Sequence, residues 1–185
     1  MADKRKTSGP TWSELKAEVV KLDEKELVHL IADLYRLSSD NKAFLNARFS
    51  IGSDPLGPYR KTIEECMYPD VISGNQPIQV AKAKRAISSY SKAVGDPLGE
   101  AELMIFFVEC GNSFTVNFGD IDGAFYDALI GMYRRAIDKV LLLPEEQRND
   151  FKDRLETIMT SASGIGWGYY DALCDDFYTA FPEDG

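Results

Sequence analysis

At 185 residues with 44% hydrophobic side chains, the chain can form one domain with a buried core, which excludes global disorder. Its longest apolar stretches, such as Leu103-Met104-Ile105-Phe106-Phe107-Val108, are far too short to span a bilayer, and a single histidine beside three scattered cysteines argues against a zinc site or a disulfide framework. The net charge of −9 is uneven: 15 Lys and Arg face 12 Asp and Glu up to Gly95, but 6 face 18 from Asp96 onward, so nucleic acid is not expected as a partner.

Residues 1–10 are polar and basic without the apolar run of a secretory leader, and they predict a flexible tail on a cytoplasmic protein. The first helix is predicted from Thr11, where Thr11-Trp12-Ser13-Glu14 has the form of a capping box and Trp12, Leu15, Val19 and Leu22 follow at helical spacing. Asp23-Glu24-Lys25-Glu26 repeats that cap. It opens a helix whose buried stripe is predicted as Leu27, Leu30, Ile31, Leu34 and Tyr35, ending near Leu37. Ser38-Ser39-Asp40 then starts a third helix with Phe44, Leu45 and Phe49. These three helices make an N-terminal unit over 11–50, within one helical domain over 11–182.

Asp54-Pro55-Leu56-Gly57-Pro58 interrupts the pattern, because proline removes a donor and glycine favours turns. A short helix from about Tyr59 to Met67 and an irregular loop from Tyr68 to Pro77 complete a connector over 51–77. The C-terminal part, 78–182, begins with a helix from Pro77 to about Val94 that points Ile78, Ala81, Ile87 and Tyr90 inward and Lys82, Lys84, Arg85 and Lys92 outward. Gly95-Asp96-Pro97 stops it. The next helix, about Leu98 to Phe118, is apolar nearly all round at Leu103, Met104, Phe106, Phe107, Val108, Phe114 and Val116, as a central helix should be. Helices over about Asp122–Leu142, Pro144–Thr160 and Trp167–Phe181 follow, and no strand is predicted.

Two segments echo each other. Ile121-Asp122-Gly123-Ala124-Phe125-Tyr126-Asp127-Ala128-Leu129 stands 44 residues before Ile165-Gly166-Trp167-Gly168-Tyr169-Tyr170-Asp171-Ala172-Leu173, and Tyr133 corresponds to Phe177. That spacing is about two helices with their turns, the unit of helical-hairpin arrays. The predicted fold is therefore all-α, about eight or nine helices in a HEAT-like superhelical array, with Tyr126 and Tyr170 sunk in equivalent interiors.

Asp120, Asp122, Asp127 and Asp171, with Asp175 and Asp176, form the densest carboxylate set. Acids converging from different helices could hold Mg²⁺ for hydrolysis, although aspartates in first turns are also ordinary helix stabilisers. Glu109, inside the most apolar helix, lies either on an exposed seam or in an ion pair with Arg134 or Arg135; buried with a raised pKa, it would be a catalytic candidate. Gly164-Ile165-Gly166-Trp167-Gly168 superficially resembles a phosphate-cradling turn but lacks the P-loop lysine and hydroxyl; as a tight turn, its glycines permit close packing while Trp167 fills the gap. Lys82, Lys84 and Arg85 form the best basic patch, with only Tyr90 interleaved, so a solvated helix face or a dock for the acidic half is the plainer reading. His29 has no histidine or cysteine companion, and no Gly-x-Ser-x-Gly elbow exists.

Glu26-Leu27-Val28 through Asp33-Leu34-Tyr35, Asp40-Asn41-Lys42-Ala43-Phe44-Leu45, Gly119-Asp120-Ile121-Asp122 and Gly164-Ile165-Gly166-Trp167-Gly168 together resemble an uncharacterised bacterial family of small helical proteins. The resemblance spans about Ser13 to Phe181 and implies a bacterial, cytosolic, helical protein, with no known activity. In that family an acid and a proline often follow the Gly-Asp-Ile-Asp segment, and a histidine often stands at the position of Tyr170; Gly123-Ala124 and Tyr170 depart from that pattern and argue against a histidine-dependent reaction.

These readings predict a helical scaffold that binds a protein partner or itself through its last four helices, with Trp167, Tyr170, Lys82, Lys84 and Arg85 as candidate contact residues and no cofactor or metal. The alternative is a metal-dependent hydrolase of phosphorylated or nucleotide substrates using Asp120, Asp122, Asp127 and Asp171. Nucleic-acid binding through Lys82, Lys84 and Arg85 is a third reading.

Overall fold

Two capping boxes start the helical structure, as their spacing requires. The computed structural model describes residues 9–72, 74 and 76–182, and among these it holds nine helices and no strand. Most of the expected tail, residues 1–8, lies outside the described residues. Ahead of α1 (Trp12–Val19), the Thr11 hydroxyl accepts from the Glu14 N–H and the Glu14 carboxylate accepts from the Thr11 N–H at 2.6 Å. Asp23 and Glu26 repeat the exchange at α2 (Glu24–Leu37), with both bonds at 2.8 Å. Helix α3 spans Ser39–Arg48.

The chain forms two compact units, one up to Leu45 and the other from Asn46 on. In the first, the stripe predicted to be buried on α2 is not: Leu27 and Tyr35 are half-covered, and Leu30, Ile31 and Leu34 are exposed. Trp12 and Leu15 of α1 are exposed as well. Periodicity says which face of a helix is apolar; burial also needs a surface against that face, and that lies outside the local sequence.

The second unit is built around one helix. It comprises α4 (Gly57–Met67), α5 (Val80–Ala93), α6 (Pro97–Phe118), α7 (Gly123–Leu141), α8 (Glu145–Ser161) and α9 (Tyr169–Ala180). Helix α6 packs against α4, α5, α7 and α8, which is why it can be apolar on nearly every side; of its predicted core positions, Val116 is exposed and Phe106 half-buried. It starts where Asp96 accepts from the N–H groups of Leu98 (3.3 Å) and Gly99 (2.9 Å), with Pro97 in the first turn. On α5 the predicted inward set is corrected: Ile87 and Tyr90 are buried with Ala83 and Ala93, while Ala81 is exposed.

Helices α7 and α9 lie side by side in the same direction. The rings of Tyr126 and Tyr169 are 5.2 Å apart near one end, and Arg134 pairs with Asp176 at 2.7 Å two turns further along. Helix α8 packs on both, so a hairpin and the start of its repeat stand in the order the 44-residue echo implies. Phe125, Leu129 and Tyr133 are buried, as are their counterparts Tyr169, Leu173 and Phe177. The expected equivalence of Tyr126 and Tyr170 does not hold. Tyr126 is buried beneath Trp167 and Tyr169, whereas Tyr170 is half-exposed.

Candidate functional site

The two echoed turns meet at the head of α7 and α9. Gly119 ends α6 at φ +95°, a conformation open to glycine, and the chain crosses Asp120 and Ile121 to Asp122, whose carboxylate accepts from the Phe125 N–H at 2.8 Å and caps α7. One turn into α7, the Tyr126 hydroxyl donates to Asp120 at 2.9 Å and lies 2.6 Å from the Thr115 hydroxyl of α6. Because the single proton of Tyr126 is taken up by Asp120, the Thr115 hydroxyl is the donor in the shorter contact, shared with the Gly119 carbonyl at 3.2 Å. Burial pushes the Tyr126 phenol above its ordinary pKa; the bond from Thr115 opposes that rise and Asp120 reinforces it.

The second turn lays an aromatic ring over the first. After Gly164 (φ +85°), Trp167 is held at φ +62° and Gly168 at +69°. The indole stacks on Tyr126 at 6.4 Å and 24°, and it lies directly over Gly123, where a Cβ would stand 3.4 Å from its Cε3, in ordinary van der Waals contact. Trp167, expected to fill the gap left by the glycines, lies over Gly123 and Tyr126 with 62% of its surface exposed. The turn from Gly164 to Gly168 itself contains no Lys or Arg.

The aspartates predicted as a metal set are not gathered. Asp120 accepts from Tyr126, Asp122 caps its helix, and Asp127 and Asp171 are exposed; among the described residues no three His, Cys, Asp or Glu side chains are placed to share an ion. Asp122→Ala should therefore cost about 1 kcal/mol of stability in urea unfolding, with Asp122→Ser restoring most of it, as a lost helix cap behaves. Equal loss in both variants would show that the carboxylate does something a cap does not.

Glu109 is half-buried, and its partner is neither Arg134 nor Arg135 but Arg154 of α8, which meets its two oxygens at 2.7 and 2.8 Å and also binds Glu102. Arg60 of α4 completes the set on Glu102 at 2.7 Å. Burial would raise the Glu102 pKa, but the bonds from Arg154 and Arg60 outweigh it and hold it below the ordinary carboxylate range. The same balance lowers Glu100, held by Lys139 of α7 and Ser91 of α5 at 2.7 Å each. Helix α6 is thus tied electrostatically to four neighbours, and the sequence signal for it was the presence of charges within an otherwise apolar helix.

Lys82 and Lys84 face different clefts, while Lys82 and Arg85 both act on the Cys66 thiol. Lys82 lines a cleft of about 580 Å³ with Glu64, Glu65 and Asp70, while Lys84 lines another with Asp122 and Phe125, its pKa lowered by burial and by nearby Arg135. Cys66 and Cys110 are buried, and burial pushes both thiols up, Cys110 to about 12, so neither is primed as a nucleophile. His29 is exposed on α2.

Sequence reasoning missed Thr115, Asn112 and the groove between α7 and α9. Thr115 and Asn112 are buried polar residues in α6; Asn112 donates to Ser161 at 2.8 Å, while its own oxygen and the buried Tyr169 hydroxyl have no partner among the described residues. Beyond the Arg134–Asp176 pair, α7 and α9 border a groove of about 480 Å³ lined by Ile137, Asp138, Leu141, Asp175, Thr179 and Ala180. Comparison of the chain with protein-family models, with curated proteins and with solved structures finds no match. None of the described helices is long and apolar enough to cross a membrane.

Proposed function

We propose that this chain is a non-enzymatic helical module of the cytoplasm that binds a protein partner, or a second copy of itself, through the surface of α6 to α9. The observation that supports the reading most is Trp167. A bulky residue at positive φ costs on the order of 1–2 kcal/mol relative to glycine, yet the ring so positioned is largely exposed and anchored on a hydrogen-bonded tyrosine. Rigid, exposed tryptophan is the side chain over-represented at the centres of protein interfaces. The alternative, a metal-dependent hydrolase of phosphorylated or nucleotide substrates, requires converging acids; Asp120 and Asp122 have structural partners, and Asp127 and Asp171 point to no shared centre. The resemblance to a bacterial helical family agrees with this reading and adds no chemistry to it.

Trp167→Gly separates the fold from the function. Glycine is at home at this φ, so relief of strain offsets the lost stacking, about 1 kcal/mol each, and thermal stability should change little. Quantitative affinity capture from the native host should recover a partner at least tenfold better with the parent chain than with Trp167→Gly. Sedimentation velocity reads self-association in the same pair. If both chains sediment as monomers and retain every captured protein equally, the reading fails.

A further inference from the structure

The geometry points to the groove between the C-terminal halves of α7 and α9 as a docking site for a basic amphipathic helix. This inference rests on the protein-binding reading and names the chemistry of the partner.

The groove has an apolar floor and an acidic rim. Ile137, buried, and Leu141, partly exposed, contribute the α7 side; Thr179 and Ala180 contribute the α9 side, where the shortness of these two side chains leaves the opening between the helices. At its inner end Arg134 is committed to Asp176, its Nε lying 2.9 and 2.7 Å from the two carboxylate oxygens. Among the described residues, Arg134 is the only cation lining the groove. Asp138 on one wall and Asp175 on the other are exposed, and among the described residues neither has a cation partner. The two walls thus present opposed, unneutralised carboxylates above apolar carbon.

That arrangement selects an occupant with an apolar stripe flanked by Lys or Arg on both sides, the pattern of a basic amphipathic helix laid into a groove. Apolar side chains would cover Ile137 and Leu141, and flanking cations would reach Asp138 and Asp175. An acidic helix would place like charges on both rims. A nucleic acid would meet the same repulsion.

The test uses the full chain and a short synthetic amphipathic helix of leucine and lysine, fluorescently labelled and followed by anisotropy. A matched peptide with glutamate in place of lysine serves as its counterpart. The leucine–lysine helix should bind and the leucine–glutamate helix should not. Ala180→Trp, which fills the groove, should weaken binding about tenfold or more, and Asp138→Lys combined with Asp175→Lys should weaken it similarly while admitting the glutamate peptide. Glu145→Lys combined with Glu146→Lys changes net charge equally at the start of α8 and should leave affinity within about threefold. Absence of binding, no response to Ala180→Trp with the rim variant also silent, or equal weakening by the α8 pair overturns the inference; the last result reduces it to bulk charge. Loss of the groove result with a Trp167-dependent partner intact removes this inference alone, whereas peptide binding that survives when nothing depends on Trp167 moves the interface away from that residue.

Discussion

Arg154→Met should destabilise the protein by about 3 kcal/mol at neutral pH, because it leaves two partly buried carboxylates of α6 without the guanidinium that bridges them. Arg154 reaches both oxygens of Glu109 and one of Glu102 from α8, and its charge is held strongly in place by those acids, burial notwithstanding. Methionine keeps much of the length and apolar stem while deleting the charge. Glu102 would retain only Arg60, itself partly exposed. The effect has a pH signature whose sign follows from Glu102. Its folded pKa lies below the ordinary value of 4.5, so its contribution is present above about pH 4.5 and is lost as pH falls through the folded pKa. In Arg154→Met that depression is largely removed. The gap between parent and variant should therefore be widest at neutral pH and narrow below about pH 4, as read by urea unfolding at both values. A gap of the same size at the two pH values would show that Arg154 does not act through its ion pair with Glu102.

Leu129→Ala should cost about 3–4 kcal/mol, because it empties a fully buried site in the α6–α7 contact. Leu129 is fully buried and inserts into a notch that exists because residue 111 has no side chain: a Cβ at Gly111 would lie 2.5 Å from Leu129 Cδ2 and 3.2 Å from Met67 Cε. Gly111→Ala alone should therefore destabilise by about 1–3 kcal/mol, since the added methyl has no free volume and the neighbouring atoms must shift. In the double variant the new methyl occupies part of the space Leu129 vacated. Its cost should fall short of the sum of the two single costs by about 1 kcal/mol or more. Strict additivity in a double-mutant cycle measured by denaturant unfolding would mean that α6 and α7 do not meet at this point. Close approach at a helix-interior glycine was not singled out in the sequence, because Gly111 sits among apolar residues with no turn or cap signal around it.

Local chemistry was legible wherever a residue's role depends on neighbours a few positions away. The capping boxes at Thr11 and Asp23, the stop at Gly95-Asp96-Pro97, the proline-led starts of α6 and α8 and the central position of α6 follow from spacing and composition alone. The 44-residue echo correctly paired Leu129 with Leu173 and Tyr133 with Phe177, since repeated local sequence makes repeated helices with the same buried edge. It did not predict that Tyr126 and Tyr170 would differ, because the surroundings of Tyr126 come from Thr115, Trp167 and Tyr169, which the repeat does not duplicate around Tyr170.

What concerned distant residues was decided only by the tertiary structure. That Glu109 pairs with Arg154 and not with Arg134, that the cations of α5 separate into different clefts, and that the aspartates are occupied singly all depend on the angles at which helices cross. The amino-acid order by itself determined an all-helical chain, the residues that start and stop its helices, and the aromatic character of its C-terminal edge. Folding alone decided which apolar faces are covered, left Trp167 in the open, and gave the α7–α9 groove its acidic rim. Helix caps and periodicity are satisfied within a few residues of chain, whereas burial and ion pairing require surfaces brought together from far apart in sequence.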